Sequence, residues 1–271
     1  MLPIDSPTPL ALYRAEAGDL GGPEVPCVEG QTLVLGHALG ADRRMWTEVL
    51  PLLPKNLDVV LWEQPGHGHS GLLEEPNPSV NTTADTLAVA LADLQVGKVH
   101  LAGLSLGGMT ALAFAERHPE TLKSVTIMDA GPVLEPAQAW RDKAEQVREE
   151  GLGMLVDGTM ERWFTPDFLD TPEVDRTRET FLTTSPEGYA QCCDIIANTD
   201  LRPQVGEVDV PALVLTGEGD AGMTPTQATA LAAGLPRAQD PVVVPDARHL
   251  TAVERPAPVA EALIEMVCAN A

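Results

Sequence analysis

The stretch Gly103-Leu104-Ser105-Leu106-Gly107-Gly108 constrains the chain more than any other. The apolar run at 98–102 before it reads as a strand, and 109–117 after it reads as a helix. A serine framed by glycines at such a strand-to-helix turn is the pattern of a nucleophile elbow. The turn is sharp enough to strain the serine backbone. Without β-carbons at 103 and 107, strand and helix can approach closely there. The Ser105 hydroxyl is pushed clear of the backbone, and the N–H of Leu106, at the helix start, faces the same space.

Strand and helix signals alternate around this turn. Strands are expected at 10–13, 31–35, 58–62, 98–102, 124–128, 210–216 and 241–244, with a weaker one at 24–29. A helix-like segment is expected at 46–53, and helices near 81–94, at 109–117, from Thr224 or Pro225 to 233, and at 256–268. From about 134 to 206 the strand pattern stops. Helices at 140–150, 152–164, 172–182 and 185–197 stand in its place, broken by Gly and Pro. The pattern resumes at once afterwards, so this stretch reads as an insertion and not a separate domain. The expected architecture is the α/β-hydrolase fold: a mainly parallel sheet flanked by helices, with a helical cap inserted before the penultimate strand. Residues 1–133 and 207–271 would form the core and 134–206 the cap.

A serine hydroxyl is a poor nucleophile at neutral pH. It needs a base to take its proton and a carboxylate to orient that base. In this fold the three occur in the order Ser, acid, His, each after a strand. Of the six histidines, His37, His67, His69, His100, His118 and His249, only His249 follows a candidate acid. That acid is Asp220, after the strand at 210–216. Asp129, after 124–128, is the alternative, with Asp246 and Glu218 behind it. The loop Gly36-His37-Ala38-Leu39-Gly40 is placed to supply a second oxyanion donor, the backbone N–H of Leu39 or, second to it, of Ala38. His37 reads as packing beneath that loop. His67 and His69, in a Gly-His-Gly turn, read as turn residues because no third ligand stands at metal-binding spacing.

Composition excludes other classes. The chain of 271 residues suits one large α/β domain with an insertion. No apolar run approaches the ~20 residues of a membrane span. The N-terminus has neither the basic region nor the apolar core of a signal peptide, so a cytoplasmic protein is expected. A net charge of −23, from 40 acidic and 17 basic residues, opposes nucleic acid and anionic membrane partners. It also means that an anionic substrate needs a local basic contact. Cys27, Cys192, Cys193 and Cys268 form no zinc pattern, and so few cysteines in so long a chain imply no disulfide framework. Cys192 and Cys193 read as reduced, core-facing residues of a helix.

The segments Glu161-Arg162-Trp163-Phe164-Thr165-Pro166 and Glu187-Gly188-Tyr189-Ala190-Gln191-Cys192-Cys193, the run Asp200-Leu201-Arg202, Leu39-Gly40 with Met45-Trp46, and the elbow together resemble the 3-oxoadipate enol-lactonases of aromatic catabolism. The likeness covers most of 31–270. It implies hydrolysis of a small unsaturated lactone bearing a carboxymethyl arm. Ser105, His249 and Asp220 would do the chemistry, Leu39 and Leu106 would hold the oxyanion, and no metal or organic cofactor would be needed. Arg141, Arg162 and Arg202 are candidates to meet the substrate carboxylate, and Trp46, Met109, Trp140 and Trp163 to line the pocket. Two turns depart from the family pattern. Glu63-Gln64-Pro65 stands where Asp-x-Arg is expected, and the Asp220 turn is one residue longer. A lactonase or esterase for another metabolite, a lyase or C–C hydrolase, and a ligand receptor with a vestigial triad are the rival readings.

Overall fold

The computed structural model describes residues 1–134 and 136–271. Among the described residues there are eight strands: β1 (Leu2–Ile4), β2 (Leu12–Arg14), β3 (Thr32–Gly36), β4 (Asp58–Trp62), β5 (Val99–Leu104), β6 (Leu122–Met128), β7 (Ala212–Gly217) and β8 (Val242–Val244). They form one sheet in the order β1-β2-β4-β3-β5-β6-β7-β8. The pairs β1–β2 and β2–β4 are antiparallel, and all pairs from β4 to β8 across the sheet are parallel. Parallel strands covered on both faces have no wet side, so β3, β5 and β7 are buried throughout and apolar or small except for His100, whose Nδ1 pairs with Ser124 Oγ at 2.8 Å.

The strand order places the site. From β3 the chain moves outward to β4, then returns to the other side of β3 as β5. At such a reversal the connecting loops diverge and leave a crevice at the carboxyl ends of the strands. The loop after β3 and the turn after β5 flank that crevice. Helix α1 (Val80–Asp93) connects β4 to β5, and α2 (Leu106–Arg117) follows β5. Every residue of α2 from Leu106 to Ala115 is buried, and Ala111, Ala113 and Ala115 keep it close to the sheet.

Between β6 and β7 lie α3 (Ala137–Glu150), α4 (Val156–Trp163), α5 (Pro172–Thr183) and α6 (Pro186–Ala197), with α3 packed along α6. Helix α7 (Pro225–Gly234) begins at an N-cap box. Thr224 Oγ1 accepts from the Gln227 N–H, and Gln227 Oε1 accepts from the Thr224 N–H. A short α8 (Thr251–Glu254) and α9 (Pro256–Ala269) close the chain. Among the described residues no helix is long and apolar enough to cross a membrane.

Four expectations are corrected. Residues 46–53 form no α-helix but lie in two 3₁₀ turns, Arg43–Trp46 and Leu50–Leu52, because Pro51 and Pro54 lack the N–H groups that a continuous helix uses. The weak strand at 24–29 is a 3₁₀ turn, Pro26–Val28. Helix α1 starts a little earlier than its Asn-Thr-Thr run suggests, from Ser79, whose N–H donates to Thr82 Oγ1. Finally, Cys27 and Cys268 form a disulfide across 241 residues, with Cα atoms 5.0 Å apart. The packing of α9 on the 26–28 turn brings these two distant cysteines together, and spacing alone carries no trace of that. Cys192 and Cys193 are free and buried.

Candidate active site

Ser105 caps α2 with φ 57° and ψ −117°, a region that non-glycine residues rarely enter. The strain is held from both sides: the Ser105 N–H donates to Met128 O on β6, and Ser105 O accepts from the Met109 N–H. A β-carbon on Gly103 would lie 2.1 Å from Gly107 O, and one on Gly107 2.6 Å from Gly36 O. The elbow therefore admits no side chain at either position.

His249 and Asp220 arrive on the loops after β8 and β7. These loops are zipped together, the Glu218 N–H donating to Val244 O and the Gly219 N–H to Ala247 O. His249 Nε2 stands 2.9 Å from Ser105 Oγ, and its Nδ1 stands 2.8 Å from Asp220 Oδ2. The acid turn closes on itself, since Asp220 Oδ1 accepts from the Gly222 N–H at 2.7 Å and Thr216 Oγ1 donates to Met223 O. Burial would lower the pKa of His249. The charge and hydrogen bond of Asp220, with the charge of Asp129 added, outweigh it and raise the pKa above its ordinary 6.5.

Asp129 lies at the crevice too, but it does not bond His249. Its Oδ1 accepts from the Gly217 N–H at 2.9 Å and its Oδ2 from Thr251 Oγ1 at 2.5 Å. Burial and the neighbouring Asp220 charge push its carboxyl well above the usual carboxylate range. Asp129 thus ties the acid loop to the start of α8, just past the histidine.

Leu39 reaches the same space as Ser105. Among the described residues, neither the Leu39 N–H nor the Leu106 N–H donates to another group of the chain, whereas the Gly40 and Ala41 N–H groups both do. Two bare donors beside a serine hydroxyl make an arrangement suited to an oxyanion.

A cavity of about 200 Å³ opens on Ser105 and His249. Met109, Trp140 and Trp163 line it, as the sequence suggests, and so do Tyr189, Lys143 and Arg162. Trp46 and Arg141 do not. Trp46 is fully buried in the core, because the 3₁₀ turn after the Leu39 loop points Met45 and Trp46 inward and Arg44 outward. Arg141 bonds Ala197 O and Asn198 Oδ1 in a separate outer cleft. One residue along a helix is a rotation of about 100°, whereas three residues return to the same face. Lys143, three after Trp140, therefore faces the cavity, with its Nζ 4.0 Å from the Trp140 ring centroid. Arg202 bonds Asp200 and lies in another groove, outside the Ser105 cavity.

Lys143 escaped the sequence reading, although its i+3 spacing from Trp140 was a usable signal. Glu254 escaped it too. Buried at the end of α8, it accepts from the Arg248 N–H at 2.8 Å and from both the N–H and hydroxyl of Thr165, so the histidine loop is bound to the inserted helices. No local pattern announces such a long-range acceptor. Among the described residues, neither Lys143 nor Arg162 has a carboxylate within ion-pair distance, and Arg162 donates only to Thr159 Oγ1. Burial lowers the pKa of Lys143.

The model of the alpha/beta hydrolase family matches residues 33–262, and the chain belongs to that family. It is 31% identical over 226 residues to 3-oxoadipate enol-lactonase 2 of Acinetobacter baylyi, covering 83% of this chain and 84% of that protein. Among solved structures, the enol-lactonase from Burkholderia xenovorans LB400 superposes with a TM-score of 0.85 at 28% identity, over 98% of this chain and 99% of that one. A thermophilic esterase from Thermogutta terrifontis, in a malate-bound form, gives a TM-score of 0.85 at 27% identity, over 98% and 97%.

Proposed function

We propose that the protein is a serine hydrolase that opens a small enol-lactone carrying a carboxylate, 3-oxoadipate enol-lactone or a close analogue, within the breakdown of aromatic compounds. One observation carries this reading. The Ser105–His249–Asp220 chain faces a small cavity holding two cations without carboxylate partners, in a chain of net charge −23. An acidic protein repels an anionic ligand at long range, so a pair of free cations at the serine is the local contact that such a ligand requires. The enol-lactonase relatives support the same class of substrate.

In this reading residues 134–206 are a cap that closes the cavity. Ser105 Oγ attacks the ring carbonyl while its proton passes to His249 Nε2, and Asp220 stabilises the imidazolium. The Leu39 and Leu106 N–H groups hold the oxyanion, each worth about 3 kcal/mol to such a transition state. Collapse breaks the ring C–O bond and expels an enolate, a good leaving group, so proton donation in the bond-breaking step matters less here than in amide cleavage. The His249 imidazolium then gives its proton to the enolate, which becomes the ketone, and His249 is neutral again. A water deprotonated by His249 then attacks the acyl-enzyme and frees the open dicarboxylic keto acid together with Ser105. The T. terrifontis neighbour favours one second reading, a carboxylesterase using the same groups.

The test is a panel of the enol-lactone, p-nitrophenyl esters and an organophosphonate probe on wild type and Ser105→Ala. Labelling and turnover are expected in the wild type only; turnover that survives Ser105→Ala sinks the triad. Lys143→Met is expected to raise KM for the lactone about 10- to 100-fold, the loss of one charge-assisted hydrogen bond, and to spare neutral esters. An equal effect on both would remove Lys143 from carboxylate binding. Fast ester turnover without lactone opening would leave the esterase.

A further inference from the structure

We propose that His67 is the positioning residue of the Leu39 loop: its imidazole Nε2 holds the Gly40 N–H and thereby fixes the preceding peptide, whose N–H faces the reacting carbonyl. The proposal rests on the oxyanion role given to Leu39 above. In the sequence His67 is a turn residue, and nothing in the hydrolytic steps uses it directly.

The geometry is one of alternating bonds. The Gly40 N–H donates to His67 Nε2 at 2.9 Å, and the Ala41 N–H donates to Ala38 O at 3.1 Å, while the Leu39 N–H between these ties is bare. Gly40, at φ 76°, is the residue of the loop with the greatest backbone freedom, so the peptide before it needs an external restraint. His67 is that restraint. Its Nδ1 bonds Pro65 O at 2.9 Å, which makes Nδ1 the protonated nitrogen and leaves Nε2 as an acceptor. The ring is wholly buried, and burial pushes its pKa down to about 3, so the acceptor stays bare at neutral pH.

The turn that carries His67 is itself clamped to the far end of the loop. Buried Glu63 pairs through Oε1 with Arg43, just beyond the loop, and accepts the His69 N–H on Oε2 at 2.7 Å. The loop entrance is held separately. His37 Nδ1 bonds Ala38 O at 2.7 Å, its Nε2 accepts the Gln64 N–H at 2.9 Å, and His37 O accepts from Gln64 Nε2 and the Gly107 N–H. Glu63, which stands where the family pattern expects Asp, and its neighbour Gln64 thus serve one purpose: they tie the donor loop to the turn below it.

The test is a pair of variants measured with the substrate that the wild type turns over. Glutamine places an acceptor oxygen near the position of Nε2; asparagine keeps only the reach of Nδ1. His67→Asn is expected to lower kcat about 10- to 100-fold with KM changed less than threefold, and His67→Gln to recover most of that loss. Equal losses in the two variants, or a loss confined to KM, overturn the proposal. Should His67→Asn fail to fold, the ¹⁵N shifts of the wild-type imidazole decide. Nδ1 protonated and Nε2 bare support it, and a protonated Nε2 overturns it. Ser105→Ala separates the two readings: turnover surviving in that variant defeats the triad itself, whereas the His67 pair bears on the loop alone.

Discussion

At the scale of single residues, the site depends on where protons sit. In the proposed mechanism His249 must be neutral to accept the Ser105 proton. Since the folded pKa of His249 lies above 6.5, kcat/KM is expected to rise with pH through that higher value and then level off. Asp220→Asn removes the charge that raises it, so the acid limb should move to lower pH. The amide also favours the wrong imidazole tautomer, and kcat should fall by about 10⁴. A pH–rate profile of the two proteins checks both points, and an acid limb left in place by Asp220→Asn would mean that another carboxylate controls the base. Asp129 is poised to be that carboxylate by proximity, but its oxygens are taken by Gly217 and Thr251.

At the scale of elements, β strands and glycine-rich turns position Ser105, Asp220 and His249, and the inserted helices are tied to them at the histidine. Glu254 joins the end of α4 to the loop before His249, the Leu250 N–H donates to Trp163 O at 3.2 Å, and Arg248 Nη1 donates to Phe164 O at 3.2 Å. Glu254→Ala would leave the Arg248 and Thr165 N–H donors, on half-buried residues, without their acceptor. It is expected to cost about 3 kcal/mol of stability, read as a lower urea midpoint at unchanged m-value. A midpoint within error of the wild type would show that water reaches and satisfies those donors. The strands of the sheet other than β1, and most of the helices, were legible in the sequence because each is a local pattern: apolar runs for buried strands, Gly and Pro at their ends. The short β1 (Leu2–Ile4), mostly exposed and containing Pro3, carries no such run. The 46–53 segment was misread because its apolar residues keep a helical spacing while its prolines forbid the helical bonds.

At the scale of the whole molecule, the two ends of the chain are cross-linked by Cys27–Cys268. Closing a loop of more than 200 residues removes unfolded-state entropy worth about 5 kcal/mol in the chain-entropy account. Reduction, or Cys268→Ser, is expected to lower Tm by several degrees and to leave kcat unchanged, since the bridge lies between the 26–28 turn and α9, away from the Ser105 crevice. Calorimetry with and without reductant, beside an activity assay, checks this. An unchanged Tm would show that the thiols are not joined in solution.

The elbow, the order Ser105, Asp220, His249, the Leu39 loop and the helical insertion were all readable from residues alone, because each depends on neighbours within a few positions or on chain order. Tertiary structure decided the rest. It set Asp220 rather than Asp129 on the histidine, turned Trp46 into the core and Arg141 to the outside, and brought Lys143 to the cavity. It also gave Glu63, Gln64 and His67 their partners and joined the two outermost cysteines. Each of these is a contact between segments far apart in sequence, and the direction in which a side chain points is settled by packing that no local pattern records.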